Sequence, residues 1–282
     1  MPQLLRSPWH ECFDLLLDRA ATSLVLCSPF IGAKPCARVR ERASGWPSGF
    51  QLLILTDLSR DNMLSGATDV AAIHGIAGAF PQTEIRFLPS LHAKVYVADE
   101  KEAVVTSGNM TESGLVRNFE YGVRFTEPGV VRTIREDVLH YAALGSPIDL
   151  EQLQMFVSIT GDLREMRKAA EKSLKARLRR EFGRKLREAD DRILQARAAG
   201  RAPHAIFADA IRHLLRYRPM TTVDLHRAVQ QIHPDLCDDT VERVIDGKHF
   251  GKKWKHAVRT AQQHLKKLGE IELVRAEWRL TP

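Results

Sequence analysis

Short apolar runs alternate with amphipathic stretches along about the first 145 residues. The apolar runs are rich in β-branched and aromatic side chains, which is typical of strands. They lie at 23–29, 50–58, 84–90, 91–99, 102–108 and 119–127. The stretches between them have helical periodicity and lie at 8–21, 33–43, 66–80 and 128–145. Strands that alternate with helices predict an α/β domain with a mixed sheet, which we place at residues 1–148.

The next segment, residues 149–203, has no strand signal. Its apolar residues form one stripe at helical spacing, which predicts a single long basic helix with a weak break at Gly183. The stripe consists of Met166, Ala170, Leu174, Leu178, Phe182 and Leu186. We interpret this helix as a linker between two domains. It could clamp phosphates, bridge the domains, mediate dimerisation, or simply present a solvated charged face.

The last segment, residues 204–282, contains three helical patterns followed by two short strands. The helices are predicted at 204–218, 221–232 and 252–269, with Pro219 and Gly269 as stop signals. The two strands lie within 271–281. Three helices followed by a β-hairpin is the order of a winged-helix domain.

Composition and charge narrow the class of protein. The chain has 282 residues, of which 44% are hydrophobic, and this is ordinary for a globular protein. No apolar stretch approaches the ~18–20 residues of a membrane span. No basic n-region followed by an apolar h-region stands at the start, so we expect a cytoplasmic protein. Its four cysteines form no CxxC pair and are expected to be reduced thiols.

The charge is distributed unevenly along the chain. Residues 1–150 carry 14 Lys/Arg against 17 Asp/Glu, a net charge of −3. Residues 151–282 carry 28 against 18, a net charge of +10. A basic half joined to a slightly acidic half indicates a module that binds polyanions next to a module with another task. The alternative is a solvated surface that happens to be basic.

The residues with reactive chemistry lie between 91 and 123. In a strand, residues i and i+2 share a face, so His92, Lys94 and Tyr96 point one way while the apolar residues between them face a core layer. The next strand returns antiparallel after a turn and delivers Ser107 and Asn109 at its end.

The same alternation applies to the strand at 119–127. Phe119, Tyr121, Val123 and Phe125 share one face, and Glu120 lies on the opposite, polar face. The pattern therefore predicts that the histidine, the lysine and the glutamate all point away from the core.

These side chains suit phosphodiester cleavage. A neutral imidazole can attack phosphorus and form a phosphohistidine. An ammonium and a carboxamide N–H can neutralise the charge that develops on the phosphoryl oxygens, a task that metal ions perform in other enzymes. A carboxylate can hold the imidazole in the reactive tautomer. A general acid for the leaving oxygen is missing from the set.

The order of these residues resembles a known signature. His92-x-Lys94-x4-Asp99, followed by Thr106-Ser107-Gly108-Asn109 and then Glu120, resembles the HxKx4D pattern of the phospholipase D superfamily. Within it, the chain looks like the small bacterial members with one signature per chain, the Nuc-type nuclease and the BfiI-like restriction enzymes. The resemblance covers roughly residues 20–145. Thr106 and Gly108 are small departures from the family pattern.

The resemblance implies a role for each residue. His92 would be the nucleophile, Lys94 and Asn109 would hold the phosphate, and Ser107 would also contact it. Glu120 would form a hydrogen bond with a histidine. Asp99 would be structural. No metal and no cofactor would be needed.

In this family two HxK elements meet across a pseudo-twofold axis, and the chain has only one. His249 and His256 stand at the wrong spacing from Lys252 and Arg259 and lie in the basic C-terminal segment. The resemblance therefore implies a homodimer through the catalytic domain, in which the second His92 serves as general acid.

The helix at 252–269 is amphipathic, and its second face is basic. Trp254, Val258, Ala261 and Leu265 form the apolar face, as expected of a recognition helix packed on a small domain. We expect DNA contacts from Lys252, Lys253, Lys255, His256, Arg259, Gln262, Gln263 and Lys266. The strands that follow would form the wing. The segment looks like the winged-helix modules fused to bacterial restriction-type nucleases; the alternative is a winged helix that contacts proteins.

The sequence thus predicts a metal-independent DNA endonuclease of restriction or anti-phage defence, and RNA is not excluded as a substrate. The first alternative is a DNA-binding regulatory or scaffolding subunit of a larger defence or repair complex, with partner proteins. The second is a phospholipid phosphodiesterase, which is disfavoured because no amphipathic membrane-binding stretch with aromatic anchors is visible.

Overall fold

The computed structural model describes residues 2–172, 176–198 and 200–281. The helices are α1 (His10–Arg19), α2 (Ala33–Ala43), α3 (Arg60–Ser65), α4 (Val70–Ala79), α5 (Pro128–Leu144), α6 (Leu150–Lys172), α7 (Ala176–Ala198), α8 (Pro203–Leu215), α9 (Thr222–Ile232) and α10 (Lys253–Lys267). The strands are β1 (Gln3–Arg6), β2 (Ser23–Cys27), β3 (Gln51–Thr56), β4 (Thr83–Phe87), β5 (Val95–Ala98), β6 (Glu102–Thr106), β7 (Tyr121–Phe125), β8 (Ser146–Pro147), β9 (Met220–Thr221), β10 (Glu242–Ile245), β11 (Lys248–Lys252), β12 (Ile271–Val274) and β13 (Glu277–Leu280).

An eight-stranded mixed sheet organises the first compact unit, Met1–Arg197. The strand order is β1-β7-β6-β5-β2-β3-β4-β8. The pairs β2–β3 and β3–β4 are parallel, and the other pairs are antiparallel. The mixed α/β sheet predicted for this part of the chain is confirmed.

Both faces of the central strands are buried, which explains their continuous apolar runs. Leu24, Leu26 and Tyr96 belong to the main core cluster together with residues of α1, α2 and α4. Val25 and Val97, which alternate with them, are also buried but face the opposite side. Helix α5 packs against β5 and β6.

The prediction of a single long linker helix at residues 149–203 is wrong, because two helices, α6 and α7, occupy most of this segment. The side-chain Nε2 of Gln152 donates a hydrogen bond of 3.1 Å to the carbonyl oxygen of Ala196. In one continuous helix these residues would lie ~66 Å apart, at 1.5 Å per residue. Helices α6 and α7 are therefore antiparallel, and Phe156 and Ile193 join the main core cluster. Gly183 lies inside α7, so it does not break the helix.

Part of the predicted apolar stripe lies outside the described residues. Leu174 belongs to this part, and the side chains of Ala170 and Leu178 are also not described. The other members, Met166, Phe182 and Leu186, are half-buried.

The second compact unit, Ala198–Pro282, contains the predicted helices as α8, α9 and α10. A three-stranded antiparallel sheet has the order β12-β13-β9. Phe207, Leu225 and Val258 are fully buried in its core. An additional hairpin, β10–β11, lies between α9 and α10 and was not predicted from the sequence. The assignment as a winged helix stays a prediction.

Among the described helices, none combines the length and the hydropathy that a membrane crossing requires.

Candidate active site

Four strand ends meet at one edge of the large sheet. The last residue of β2, Cys27, pairs with the first residue of β5, Val95. Val95 pairs with Val105 in β6, and Thr106 at the end of β6 pairs with Gly122 in β7. The antiparallel register therefore brings together the segment before β5, the loop after β6 and the segment before β7. These segments carry all five candidate catalytic residues.

His92 and Lys94 lie in the extended segment that leads into β5. The Nζ atom of Lys94 lies 3.1 Å from Nδ1 and 3.2 Å from Nε2 of His92, and it donates to the carbonyl oxygen of His92 at 2.6 Å. Because the ammonium is almost equidistant from the two ring nitrogens, it does not select one tautomer of the imidazole.

The two side chains differ in exposure. The imidazole of His92 is exposed, whereas Lys94 is only 6% exposed. Burial lowers the pKa of Lys94, and the nearby Glu120 and Cys27 oppose this effect. A buried ammonium beside an exposed imidazole can hold an anionic group against the ring while the ring stays accessible.

The face shared by His92, Lys94 and Tyr96 is not polar along its length, which corrects the sequence prediction. Tyr96 is 0% exposed and packs in the main core against Trp9 and Phe13. His92 and Lys94 precede the strand, and neither side chain belongs to the main core cluster.

Tyr96 and two glycines position the loop that carries Asn109. The hydroxyl of Tyr96 donates a hydrogen bond of 2.9 Å to the carbonyl oxygen of Gly108. A Cβ atom on Gly108 would lie 2.7 Å from Nε1 of Trp9 and 2.8 Å from the carbonyl oxygen of Gly114. A Cβ on Gly114 would lie 2.4 Å from the carbonyl oxygen of Asn109. Only glycine fits at both positions, which explains the departure at Gly108 from the family pattern.

The side chain of Asn109 is half-buried. Its Oδ1 atom is buried and has no hydrogen-bond partner among the described residues. The position of Asn109 is thus set by its backbone neighbours, and no described protein group is hydrogen-bonded to its Oδ1 atom.

Ser107 and Glu120 form a second hydrogen-bonded pair in the candidate site, in addition to Lys94 and His92. The hydroxyl of Ser107 donates a short hydrogen bond to Oε2 of Glu120, and Asn118 donates to Oε1 at 3.1 Å. The backbone N–H of Tyr121 in turn donates to the Ser107 hydroxyl at 3.1 Å. The hydrogen bond expected between Glu120 and a histidine is not among those of the described residues. Asn118 was missed by sequence reasoning.

The prediction that Phe119 and Tyr121 lie on a core-facing side of the strand is wrong, because this side is exposed at the start of β7. Phe119 is 105% exposed and Tyr121 is 53% exposed. Val105 and Leu4, which both pair with Val123, are exposed as well. We call Leu4, Val105, Phe119 and Tyr121 the apolar edge patch. Two of its members, Phe119 and Tyr121, flank Glu120 in the chain.

Asp99 is remote from this edge, at the far end of β5. Its carboxylate accepts hydrogen bonds from the backbone N–H groups of Ala21, Thr22 and Ser23 at 2.8–3.3 Å. Burial would raise the pKa of Asp99, but these hydrogen bonds lower it overall. The side chain thus ties the turn after β5 to the start of β2, in keeping with a structural role.

The remaining candidate ligands and thiols are dispersed. In the described part of the chain, no three His, Cys, Asp or Glu side chains are grouped closely enough to hold a metal ion. All four cysteines are free. Burial raises the pKa of Cys27, which lies next to the site, to about 12, so its thiol is protonated and inert.

Most of the residues expected to contact DNA are accessible on or next to α10. Lys253, Arg259, Gln263 and Lys266 are exposed, and Lys252, Lys255 and His256 are half-buried. Gln262 is only 1% exposed, and its amide points to the hydroxyl of Thr222 at 3.4 Å. The prediction that Gln262 reads a base edge is therefore wrong, because its side chain is part of the core contact between α10 and α9.

Comparison with known proteins agrees with the predicted catalytic fold. Residues 15–141 match the family model described as "Cardiolipin synthase, PLD-like domain". This segment of the chain is thus similar to a phospholipase D-like domain, and it includes β2 to β7 of the large sheet. No curated protein sequence matches the chain.

Solved structures with a similar fold have low sequence identity. The phospholipase D family member Nuc from Salmonella typhimurium is 19% identical, with a TM-score of 0.43 over 53% of this chain and 99% of Nuc. NucT from Helicobacter pylori is 16% identical, with a TM-score of 0.40 over 50% of this chain and 94% of NucT. Phosphatidylserine synthase from Haemophilus influenzae is 11% identical, with a TM-score of 0.46 over 61% of this chain and 44% of that enzyme.

Proposed function

We propose that the protein is a metal-independent endonuclease that hydrolyses DNA through a phosphohistidine intermediate, in a restriction or anti-phage role. The single observation that carries this proposal is the contact between the buried ammonium of Lys94 and the exposed imidazole of His92, beside Ser107 and Glu120 at one sheet edge. The match to a phospholipase D-like domain supports phosphodiester chemistry in general.

The proposed reaction has two displacements at phosphorus. In the first, a ring nitrogen of His92 attacks the phosphodiester, the P–N bond forms, and the bond to the leaving sugar oxygen breaks as that oxygen takes a proton. In the second, water attacks the phosphohistidine and releases the free imidazole. Lys94 and the amide of Asn109 offset the charge that develops on the phosphoryl oxygens.

The proton donor in the first step must come from a second subunit in this proposal. The chain has one HxK element, and a twofold axis beside His92 would supply a second imidazole. The apolar edge patch supports this arrangement because exposed aromatic side chains next to a catalytic residue are typical of an interface. Glu120 would then meet a histidine across the axis.

The choice of DNA as substrate rests on the C-terminal unit. Helix α10 carries Lys253, Lys255, Arg259, Lys266 and Lys267 and no acidic residue. A helix with one apolar and one basic face binds a phosphate backbone through charge, and sequence preference would come from the residues that reach base edges. The same backbone chemistry applies to RNA.

The test uses purified protein, supercoiled plasmid and excess chelator. We expect the wild type to nick the plasmid in the chelator, and His92→Ala to reduce cleavage by at least about 10³-fold because it removes the covalent route. Single-turnover reactions quenched rapidly should contain a protein–DNA adduct only with the wild type. His140→Ala, a substitution of an exposed histidine on α5, is the matched control and should cleave like the wild type.

Each alternative predicts another outcome of the same experiment. A regulatory or scaffolding subunit would bind the plasmid without cutting it. A phospholipid phosphodiesterase would leave the plasmid intact and release headgroups from phosphatidylcholine or cardiolipin vesicles. Cleavage that chelator abolishes and Mg²⁺ restores, or a few per cent of wild-type cleavage in His92→Ala, would contradict the proposed mechanism.

A further inference from the structure

The hairpin β10–β11 projects from the C-terminal unit with no core on either face. All ten residues from 241 to 250 are exposed, among them the apolar Val244, Ile245 and Phe250. Its turn, Asp246–Gly247, has positive φ at both residues (48° and 75°), as a two-residue hairpin turn requires. A two-stranded ribbon without a covered face is marginally stable alone, so a binding partner would complete it.

The base of this ribbon is fixed to the start of α10. Lys253 N–H donates to the carbonyl oxygen of Val241 at 3.0 Å. His256 Nε2 lies 2.7 Å from the carbonyl oxygen of Phe250. Trp254 Nε1 donates to the carboxylate of Asp239 at 2.9 Å. The ribbon and the first turn of α10 therefore form one continuous surface.

This surface is strongly basic. Between residues 242 and 259 there are six Lys/Arg and two Asp/Glu. One of the two acids, Glu242, is already paired with Lys252 at 3.1 Å and with His249. Arg243 and Lys248 lie on the ribbon next to the exposed apolar side chains, so cations and apolar groups alternate along it.

The terminal hairpin, β12–β13, is less suited to be the second DNA contact. Its turn consists only of Arg275 and Ala276. Between residues 271 and 280 it carries two Arg and two Glu, and Arg279 is paired with Glu272 at 2.7 Å. This hairpin was expected to be the wing, but it is short and has no net charge.

We propose that the β10–β11 ribbon is a DNA-binding element that enters a groove of duplex DNA beside α10. A two-stranded ribbon fits the groove of B-form DNA, and apolar side chains can wedge between base steps. Arg243 and Lys248 contact phosphates, while Ile245 and Phe250 contact the sugars and bases of the groove. This inference rests on the proposed function, because it takes DNA as the partner of the C-terminal unit.

The experiment measures binding of the full-length chain to a fluorescent duplex at a series of KCl concentrations. All proteins carry His92→Ala so that the duplex stays intact. Arg243→Gln/Lys248→Gln removes two phosphate contacts, and the slope of log K against log salt should flatten by about 1.8, or 0.9 for each contact. Arg275→Gln/Arg279→Gln removes two cations from the terminal hairpin as the matched control and should leave the slope unchanged.

A second variant tests the apolar contact. Ile245→Ser/Phe250→Ser should weaken binding several-fold at every salt concentration without a change in slope. Among the replaced side chains, Arg279 is paired with Glu272, and Nη1 of Arg243 lies 3.2 Å from Nδ1 of His256. Circular dichroism and thermal unfolding would therefore verify that each variant folds.

The outcomes separate the two proposals. If the parent protein has no affinity for the duplex, the DNA part of the proposed function fails and this inference fails with it. If the parent binds and only the control variant flattens the slope, the terminal hairpin is the second contact and the ribbon proposal alone is overturned. If neither ribbon variant affects binding, the ribbon serves a protein partner, which also overturns the proposal.

Discussion

The hydroxyl of Tyr96 reaches the catalytic loop from inside the main core. Burial raises the pKa of Tyr96 far above its usual range, so the hydroxyl keeps its proton and can donate a hydrogen bond near neutral pH. Its acceptor is the carbonyl oxygen of Gly108, next to Asn109. In the proposed mechanism Tyr96 is thus a positioning residue that would act on the phosphate through Asn109.

We expect Tyr96→Phe to lower the turnover number about tenfold while the affinity for DNA stays within about twofold. The substitution removes one buried hydrogen bond, worth about 1–2 kcal/mol of stability, and releases the loop that carries Asn109. Cleavage rates and binding isotherms, measured below the unfolding temperature, provide this comparison. Tyr217→Phe, at an exposed tyrosine, is the control. A variant that unfolds earlier but cleaves at the wild-type rate would make Tyr96 purely structural.

The residues of the candidate site could be predicted from the sequence, but the contacts that hold them in position could not. His92, Lys94, Ser107, Asn109 and Glu120 follow a recognisable order, and the structure places them at one sheet edge. The partner of Tyr96 is a backbone carbonyl, which leaves no signature in the sequence. Gln262 was misassigned because helical spacing alone did not show that α9 packs over it.

At the scale of elements, strand alternation shows which residues share a face but not what covers that face. For this reason Phe119 and Tyr121 were expected in the core, although Phe119 is fully exposed and Tyr121 is about half exposed, with the guanidinium of Arg6 at 6.0 Å from its ring. The antiparallel arrangement of α6 and α7 was missed for a similar reason. Residues 173–175, between the two helices, include neither Gly nor Pro, so no stop signal interrupts the helical pattern.

Three elements are joined by one buried carboxylate. Glu102 in β6 is buried and accepts hydrogen bonds from Arg19 of α1 at 3.1 Å and from Arg124 of β7 at 2.6 and 2.8 Å. Burial would raise the pKa of Glu102, but the bonds from Arg124 and Arg19 lower it overall. Because the folded pKa lies below the unfolded value, this contribution to stability is present above the unfolded pKa and is lost as pH falls through the folded pKa.

We expect Glu102→Gln to lower the free energy of unfolding at pH 7 by about 1–2 kcal/mol, because it removes the anion that Arg124 and Arg19 share while both guanidinium groups keep some access to water. The free energy of unfolding, measured with urea from pH 7 down to acid pH, should also fall less steeply in the variant than in the wild type. The reason is that the variant no longer has the Glu102 carboxyl group to titrate. Glu100→Gln, which removes an exposed partner of Arg132, should behave like the wild type. Equal pH dependence in the Glu102 variant and the wild type would refute this account.

At the scale of the whole molecule, the chain supplies half of the proposed catalytic machinery. One imidazole cannot be both nucleophile and acid in the same displacement, so the proposed reaction needs two histidines in different protonation states. The proposed dimer should therefore have a pH–rate profile that falls on both sides of an optimum.

Mixing subunits tests the composite site. If wild-type and His92→Ala chains exchange freely at equal concentrations, only about a quarter of the dimers have both histidines, whereas half of the chains are wild type. We compare the mixture with pure wild-type protein at the same total protein concentration. We expect the mixture to have about a quarter of the wild-type activity. An activity equal to half of that wild-type value would show that each chain holds a complete site.

Phe119→Ser should weaken dimerisation in analytical ultracentrifugation, because it removes the most exposed member of the apolar edge patch.

Residues 3–9 contribute more to the sheet edge of the candidate site than sequence similarity suggests. The match to the family model begins at residue 15. Ahead of it, β1 pairs with β7, the hydroxyl of Ser7 accepts from the backbone N–H of Glu120 at 2.9 Å, and Trp9 Nε1 donates to Gly114 at 2.7 Å. A protein engineer who transplanted only the matching segment would carry over every reactive side chain and leave behind the groups that hold the loops in place. The smallest portable version of this candidate module begins no later than Gln3.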